Sequence, residues 1–189
     1  GTIVTANLLP GEYTVEELLP EGSLYQCKSE NPQTVAVIQG QTAEVSFVNA
    51  IRTGAITIEK VDLEENRLAG ATFLLEWSED GVLWQPVAFS EAAVRGGCSS
   101  TGLADGQLTT DENGSLVFSN LYPGLHYRLT EVKAPEGFSL LQNAAFEGVL
   151  GIDNLELHLR VVNVRSYMLP KTGSMGLRLY PLLCGAPHG

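Results

Sequence analysis

The sequence predicts an all-β protein whose main unit is a sandwich of two packed sheets. Three observations carry this. Short runs with an apolar residue at every second position recur along the chain, the period of a strand with one face in a core. Turn dipeptides such as Asp80-Gly81, Asp105-Gly106 and Asn113-Gly114 separate the runs, among 20 Gly and 9 Pro. Hydrophobic residues make up 44% of the 189, enough to pack a core in one or two domains.

Strands are expected near 55–61, 71–77, 82–88, 106–110, 115–119, 125–132, 144–149 and 155–164. In the first of these, Ile56, Ile58 and Lys60 share a face. The next two flank the Asp80-Gly81 turn, with Trp77 and Trp84 on either side. Ser90 to Gly106 is the least strand-like stretch and reads as a surface excursion with one helical turn near Glu91–Val94. The run from Leu125 alternates cleanly: Leu125, Tyr127, Leu129 and Glu131 on one face, His126, Arg128 and Thr130 on the other. It stops at Ala134-Pro135 and turns at Glu136-Gly137. In the last run, Leu155, Leu157, Leu159, Val161 and Asn163 share a face.

Three of these runs end on an inward position occupied by a polar residue: Lys60, Glu131 and Asn163. A charged group on a core-facing position is costly unless it is paired or neutral. One such violation indicates an edge, a bulge or a slipped register. Three of complementary type indicate that the side chains meet.

The chain also repeats itself. GTIVTANLLPGEYTVEELLPEG at the start parallels GSLVFSNLYPGLHYRLTEVKAPEG from Gly114, and VSFVNA parallels LRVVNV. Glu17 thereby corresponds to Glu131 and Asn49 to Asn163, at a spacing of about 114 residues, a domain-sized unit. Residues 1–52 contain no counterpart of Gly54–Asn113, and so none of Lys60. They read as the C-terminal half of one unit, which makes the chain a fragment of something longer. Residues 53–166 read as a complete unit and 167–189 as a loop-like tail.

Composition excludes several function classes. A net charge of −11 opposes binding to a phosphate backbone, so no nucleic-acid partner is expected. Cys27, Cys98 and Cys184 are widely spaced and form no metal-binding pattern; free thiols are expected, with a Cys27–Cys98 bridge as the alternative. The chain starts without a basic leader, and no stretch reaches the length of a membrane-spanning helix. No Ser/His/Asp or Cys/His constellation suggests a turnover enzyme, and no cofactor is implied. Asp111, Asn113 and Gly114 can be read as a calcium loop or, more simply, as a hairpin turn. His126 and His158 fall on polar strand faces.

The motifs ITIEKVDLEENRLAGATFLL, YRLTEVKAPEGF and VVNV together resemble the Cna protein B-type domain of Gram-positive surface proteins and pilins. The resemblance covers 53–166 and, through YTVEELLPEG and FVNA, the half-unit before it. It implies an immunoglobulin-like or prealbumin-like β-sandwich. It also implies an intramolecular isopeptide bond between Lys60 and Asn163, promoted by Glu131. Leu169, Pro170, Lys171, Thr172 and Gly173 spell LPKTG, similar to a sortase sorting signal, which implies cleavage between Thr172 and Gly173. The implied partners are sortase, peptidoglycan or neighbouring pilin subunits, and host extracellular matrix, with an extracellular, cell-wall-anchored location. The sequence departs from that pattern after Gly173: SMGLRLYPLLCGAPHG is short, contains Arg178 and Pro181 and has no basic cluster, so a membrane-retaining segment is missing from it.

The implied chemistry is physically coherent. An amine attacks a carboxamide only when neutral, and burial disfavours the charged forms of amine and carboxylic acid alike. An acid beside the carboxamide can polarise its carbonyl and shuttle protons as ammonia leaves. Packing supplies the effective molarity. The reaction runs once per molecule. The simpler reading is a buried Lys60–Glu131 ion pair with Asn163 as a hydrogen-bonding neighbour, an arrangement seldom net stabilising. For Glu17 and Asn49 the non-covalent reading applies, for want of a lysine. The function expected is that of a stalk or shaft module. The alternative is an extracellular ligand-binding sandwich for a host protein or carbohydrate, with the 90–106 excursion and the two tryptophans as its face.

Overall fold

The computed structural model describes residues 1–100, 104 and 106–166. Among them all regular structure is β, in fourteen strands. Four lie early: β1 (Gly11–Val15), β2 (Tyr25–Cys27), β3 (Gln33–Val37) and β4 (Asn49–Ile51). The rest are β5 (Gly54–Val61), β6 (Thr72–Ser78), β7 (Gln85–Pro86), β8 (Ala88–Phe89), β9 (Gly97–Cys98), β10 (Gln107–Thr109), β11 (Ser115–Leu121), β12 (His126–Lys133), β13 (Phe146–Val149) and β14 (Glu156–Val162).

Two sheets make the sandwich. One has the order β10-β6-β12-β13, with β7 also paired to β6; the other has the order β11-β5-β14. Within these two sheets all pairs are antiparallel except β5 with β14, which run parallel with Lys60 opposite Val161. The alternation seen in the sequence becomes the core: Ile56 and Ile58 from β5, Phe73 and Leu75 from β6, Phe118 from β11, Tyr127 and Leu129 from β12, and Val161 from β14 are buried together. Burying each such side chain contributes roughly 1.5–3 kcal/mol relative to leaving it in water.

Three expectations are corrected. The 82–88 strand is split: Asp80 Oδ1 accepts from the backbone N–H of Val82 and Leu83, which holds those residues in a wide turn, and pairing begins only at Gln85. Glu91–Val94 forms no helical turn. The chain there bends back so that β9 pairs in parallel with β8 and Cys98 is buried in the core cluster; a single isolated helical turn has a costly nucleus and little to stabilise it. The two tryptophans share no face: Trp77 packs on the core cluster, whereas the Trp84 ring lies 4.4 Å from the Arg128 guanidinium, which Glu76 also holds at 2.8 Å. Asp111 accepts from the N–H of Asn113 and Ser115, a local turn device, and no metal-binding cluster exists among the described residues. Cys27 and Cys98 are free.

Residues 1–52 carry two small antiparallel pairs, β1 with β3 and β2 with β4. No hydrophobic residue before Ile56 reaches full burial among the described residues.

Candidate functional site

Lys60, Glu131 and Asn163 are buried to within 1% of complete exclusion from solvent. They come from three strands or strand ends. Lys60 is the last inward residue of β5, one short of its end, and Asn163 follows β14 immediately. Its backbone N–H donates to the Val61 carbonyl at 3.0 Å, which keeps the two strand ends in register. Glu131 belongs to β12 in the facing sheet and reaches across the core. A bulge in the β12–β6 pairing falls between Glu131 and Lys133, at the point where the glutamate turns inward.

Lys60 Nζ lies 3.9 Å from Glu131 Oε1 and donates to the Val161 carbonyl at 3.0 Å. Burial pushes the amine down from its usual range to about 8, and the Glu131 charge offsets part of that shift. Asn163 Nδ2 donates to both Glu131 oxygens at 3.0 Å and to the Ser139 carbonyl at 3.1 Å. The Leu141 N–H donates to Glu131 Oε2 at 2.9 Å. Asn163 Oδ1 is buried and has no hydrogen-bond partner. The glutamate therefore grips the carboxamide through its nitrogen. That differs from the expectation that it polarises the carbonyl: the Ser139 carbonyl can only accept, so it fixes the amide with Nδ2 on this side.

Beside the cluster, a shallow cleft lined by Asp62, Leu63, Glu64, Asn163, Val164 and Arg165 opens to solvent. Asp62 is itself almost fully buried, and its carboxylate is held below the ordinary range chiefly by the Asn66 side chain. It fixes the turn after β5 by accepting from the N–H groups of Glu64 and Asn66.

The backbone partners, Ser139, Leu141 and Val161, were not foreseeable: any residue supplies a carbonyl or an N–H, so no side-chain signal marks them. Glu17 and Asn49 also come together, with Asn49 Nδ2 donating to Glu17 Oε1 at 2.8 Å. Leu169–Gly173 lies outside the described residues.

Residues 54–160 match the family profile described as SpaA, prealbumin-like fold domain. No curated protein matches the chain. Among solved structures, the pilus 2b backbone protein of group B streptococcus is similar at 23% identity and a TM-score of 0.50, over 79% of this chain and 52% of that one. The Bacillus anthracis TIE protein is similar at 23% identity and a TM-score of 0.53, over 84% of this chain and 26% of that one. The chain thus spans about half the length of the first and a quarter of the second. At these identities the likeness speaks for the fold, in agreement with the all-β sandwich expected from the sequence. Since the profile match extends over more than half of the chain, from the first strand of the sandwich to the last, the chain belongs to the SpaA prealbumin-like fold domain family.

Proposed function

We propose that this chain is a shaft module of a Gram-positive cell-surface pilin or adhesin, locked by an isopeptide bond between Lys60 and Asn163 that Glu131 promotes. One observation carries the reading: an amine, a carboxyl group and a carboxamide converge in an otherwise apolar core, at the ends of its first and last strands.

The chemistry follows from the contacts. Lys60 Nζ, shifted toward its neutral form, attacks the Asn163 side-chain carbonyl carbon. Glu131 accepts a proton from the amine and delivers one to Nδ2, the atom it already touches. The C–Nδ2 bond breaks, ammonia leaves by way of the adjoining cleft, and a neutral amide remains. Removing the buried charges relieves the desolvation cost that made the trio improbable as a mere ion pair.

The topology supports a mechanical role. The strands β5 and β14 are parallel neighbours, so tension on the two domain ends loads their hydrogen bonds in shear. A bond from Lys60 to Asn163 would carry that load covalently and bypass residues 61–162. Leu169–Gly173 is the proposed sortase recognition segment; peptidoglycan or neighbouring subunits are the proposed acceptors. The two separated tryptophans give the ligand-binding alternative no specific support.

The test is the intact mass of the folded protein. It is expected to be one ammonia below the sequence mass, and Lys60→Ala, Asn163→Ala and Glu131→Ala are each expected to restore the full mass. Glu131→Ala is the most discriminating, since both reacting groups remain; if that variant loses ammonia as readily as the wild type, the proton-shuttle role is wrong.

A further inference from the structure

The three-stranded sheet ends in an open edge that bears on association, whatever the state of the Lys60–Asn163 pair. In β14, alternate residues direct their backbone groups to opposite sides. The Leu155 carbonyl accepts from the Ala55 N–H, and the Asn163 N–H donates to the Val61 carbonyl, so the odd-numbered residues bond to β5. The even-numbered residues therefore turn their N–H and C=O groups outward. Just past the strand this outward side is occupied: the Ser139 N–H donates to the Val164 carbonyl and the Ser166 N–H to the Gly137 carbonyl, in antiparallel fashion. At Glu156, His158 and Arg160 it pairs with no strand among the described residues.

Edges are ordinarily blunted by proline, lysine or a bulge. β14 has none of these, and its seven residues pair with β5 in unbroken register. The other edge of the sheet, β11, is covered: the Ser99 N–H donates to the Ser119 carbonyl, and Ser100 Oγ donates to that of Val117. Leu157 and Leu159 pack against the core cluster but stay only partly buried on the open side.

The residues of the strand indicate what fits there. Glu156, Leu157, His158, Leu159 and Arg160 are self-complementary about His158. If two copies pair antiparallel on that centre, Glu156 of each faces Arg160 of the other, and Leu157 faces Leu159. The hydrogen bonds allow this register, because 156, 158 and 160 all present outward groups. Either neighbouring register separates Glu156 from Arg160. Arg160 already contacts Glu65, and its guanidinium has donors enough for both carboxylates. The chain as a whole carries −11 and repels its copies, whereas this strand holds one carboxylate and one guanidinium.

We propose that β14 is a self-association edge, at which two copies of this chain join antiparallel along residues 156–160 about a two-fold axis. The three strands of each copy then form one continuous sheet. The contact is small, so the association is weak and reversible. For the shaft module proposed above, it acts sideways to the line of tension.

The test is the mass in solution of the full chain, by sedimentation and small-angle scattering from about 10 μM to about 1 mM. The apparent mass is expected to rise toward twice that of the chain. Glu156→Arg sets arginine against Arg160 of the second copy, and Arg160→Glu sets glutamate against Glu156; each variant alone is expected to stay monomeric. An equimolar mixture of the two places opposite charges at both positions and is expected to restore the doubled mass. Arg160→Glu also removes the contact with Glu65, but mixing cannot rescue a lost fold, so the restored mass reads the interface. A wild type that stays monomeric overturns the proposal, as does a dimer that persists in either variant or a mixture of folded variants that stays monomeric. Amide exchange gives a second reading. The N–H groups of Glu156, His158 and Arg160 are expected to exchange fast in dilute wild-type chain and to slow as the mass doubles. Protection of all three in the dilute chain means that another segment of the same chain holds this edge, which also overturns it.

Discussion

Coupling between Lys60 and Asn163 distinguishes a bond from a contact more sharply than either single variant. The two residues make no direct hydrogen bond; each touches Glu131. Without a bond, a Lys60→Ala, Asn163→Ala double-mutant cycle should report only indirect coupling, at the low end of the roughly 0.5–3 kcal/mol found for neighbours. With a bond, the crosslink spans 163 − 60 = 103 residues of chain. By analogy with a disulfide of that span, restricting the unfolded state is worth roughly 4–5 kcal/mol. Either single substitution forfeits all of it, and the double substitution forfeits it only once. The apparent coupling should therefore approach roughly 4–5 kcal/mol. For a domain of this size, that corresponds to a fall in Tm of roughly 20 °C or more for each single variant, before lost packing is added. Denaturant titrations of the four proteins measure the cycle, and intact mass measured in parallel reports the bond. Additive losses, or strong coupling without the missing ammonia, would refute the reasoning.

The remaining predictions are independent of that cycle. In Asn163→Ala, which cannot crosslink, Lys60 stays a titrating amine whose folded value near 8 lies below its unfolded 10.5. The unfolded state then binds more protons between those values, so stability should be lowest below pH 8 and rise by about 3 kcal/mol toward pH 10.5; a flat or falling profile in denaturant titrations contradicts the burial cost assigned to Lys60. Gly54→Ala should destabilise by roughly 1–3 kcal/mol, because the new Cβ would meet the Leu155 carbonyl oxygen and lie 2.8 Å from Leu150 Cδ2; an unchanged Tm would mean that the β5–β14 contact can relax. A transpeptidase with LPxTG specificity should cut between Thr172 and Gly173, and a chain left intact after prolonged exposure removes the sorting motif from the proposal.

Much of the sandwich was legible because strand periodicity is a local property. Ile56, Ile58, Tyr127 and Leu129 sit where alternation puts them, and the same alternation put Lys60, Glu131 and Asn163 inside. The wide turn at Asp80 and the β8–β9 pairing were not legible. Both depend on which backbone groups remain free once the sheets have formed, and short stretches such as 82–98 have too few residues for a period to declare itself.

The sequence by itself determined the all-β class, the inward faces, the repeat and the identity of the three polar core residues, since each is written in spacing and residue type. Only the tertiary structure decided that the first and last strands are parallel neighbours, that Glu131 comes from the opposite sheet, and that it holds Asn163 by the nitrogen. Strand order and amide orientation are set by distant backbone partners, here Val61, Ser139 and Leu141, whose carbonyls and N–H groups are the same in every residue and leave no mark on the sequence.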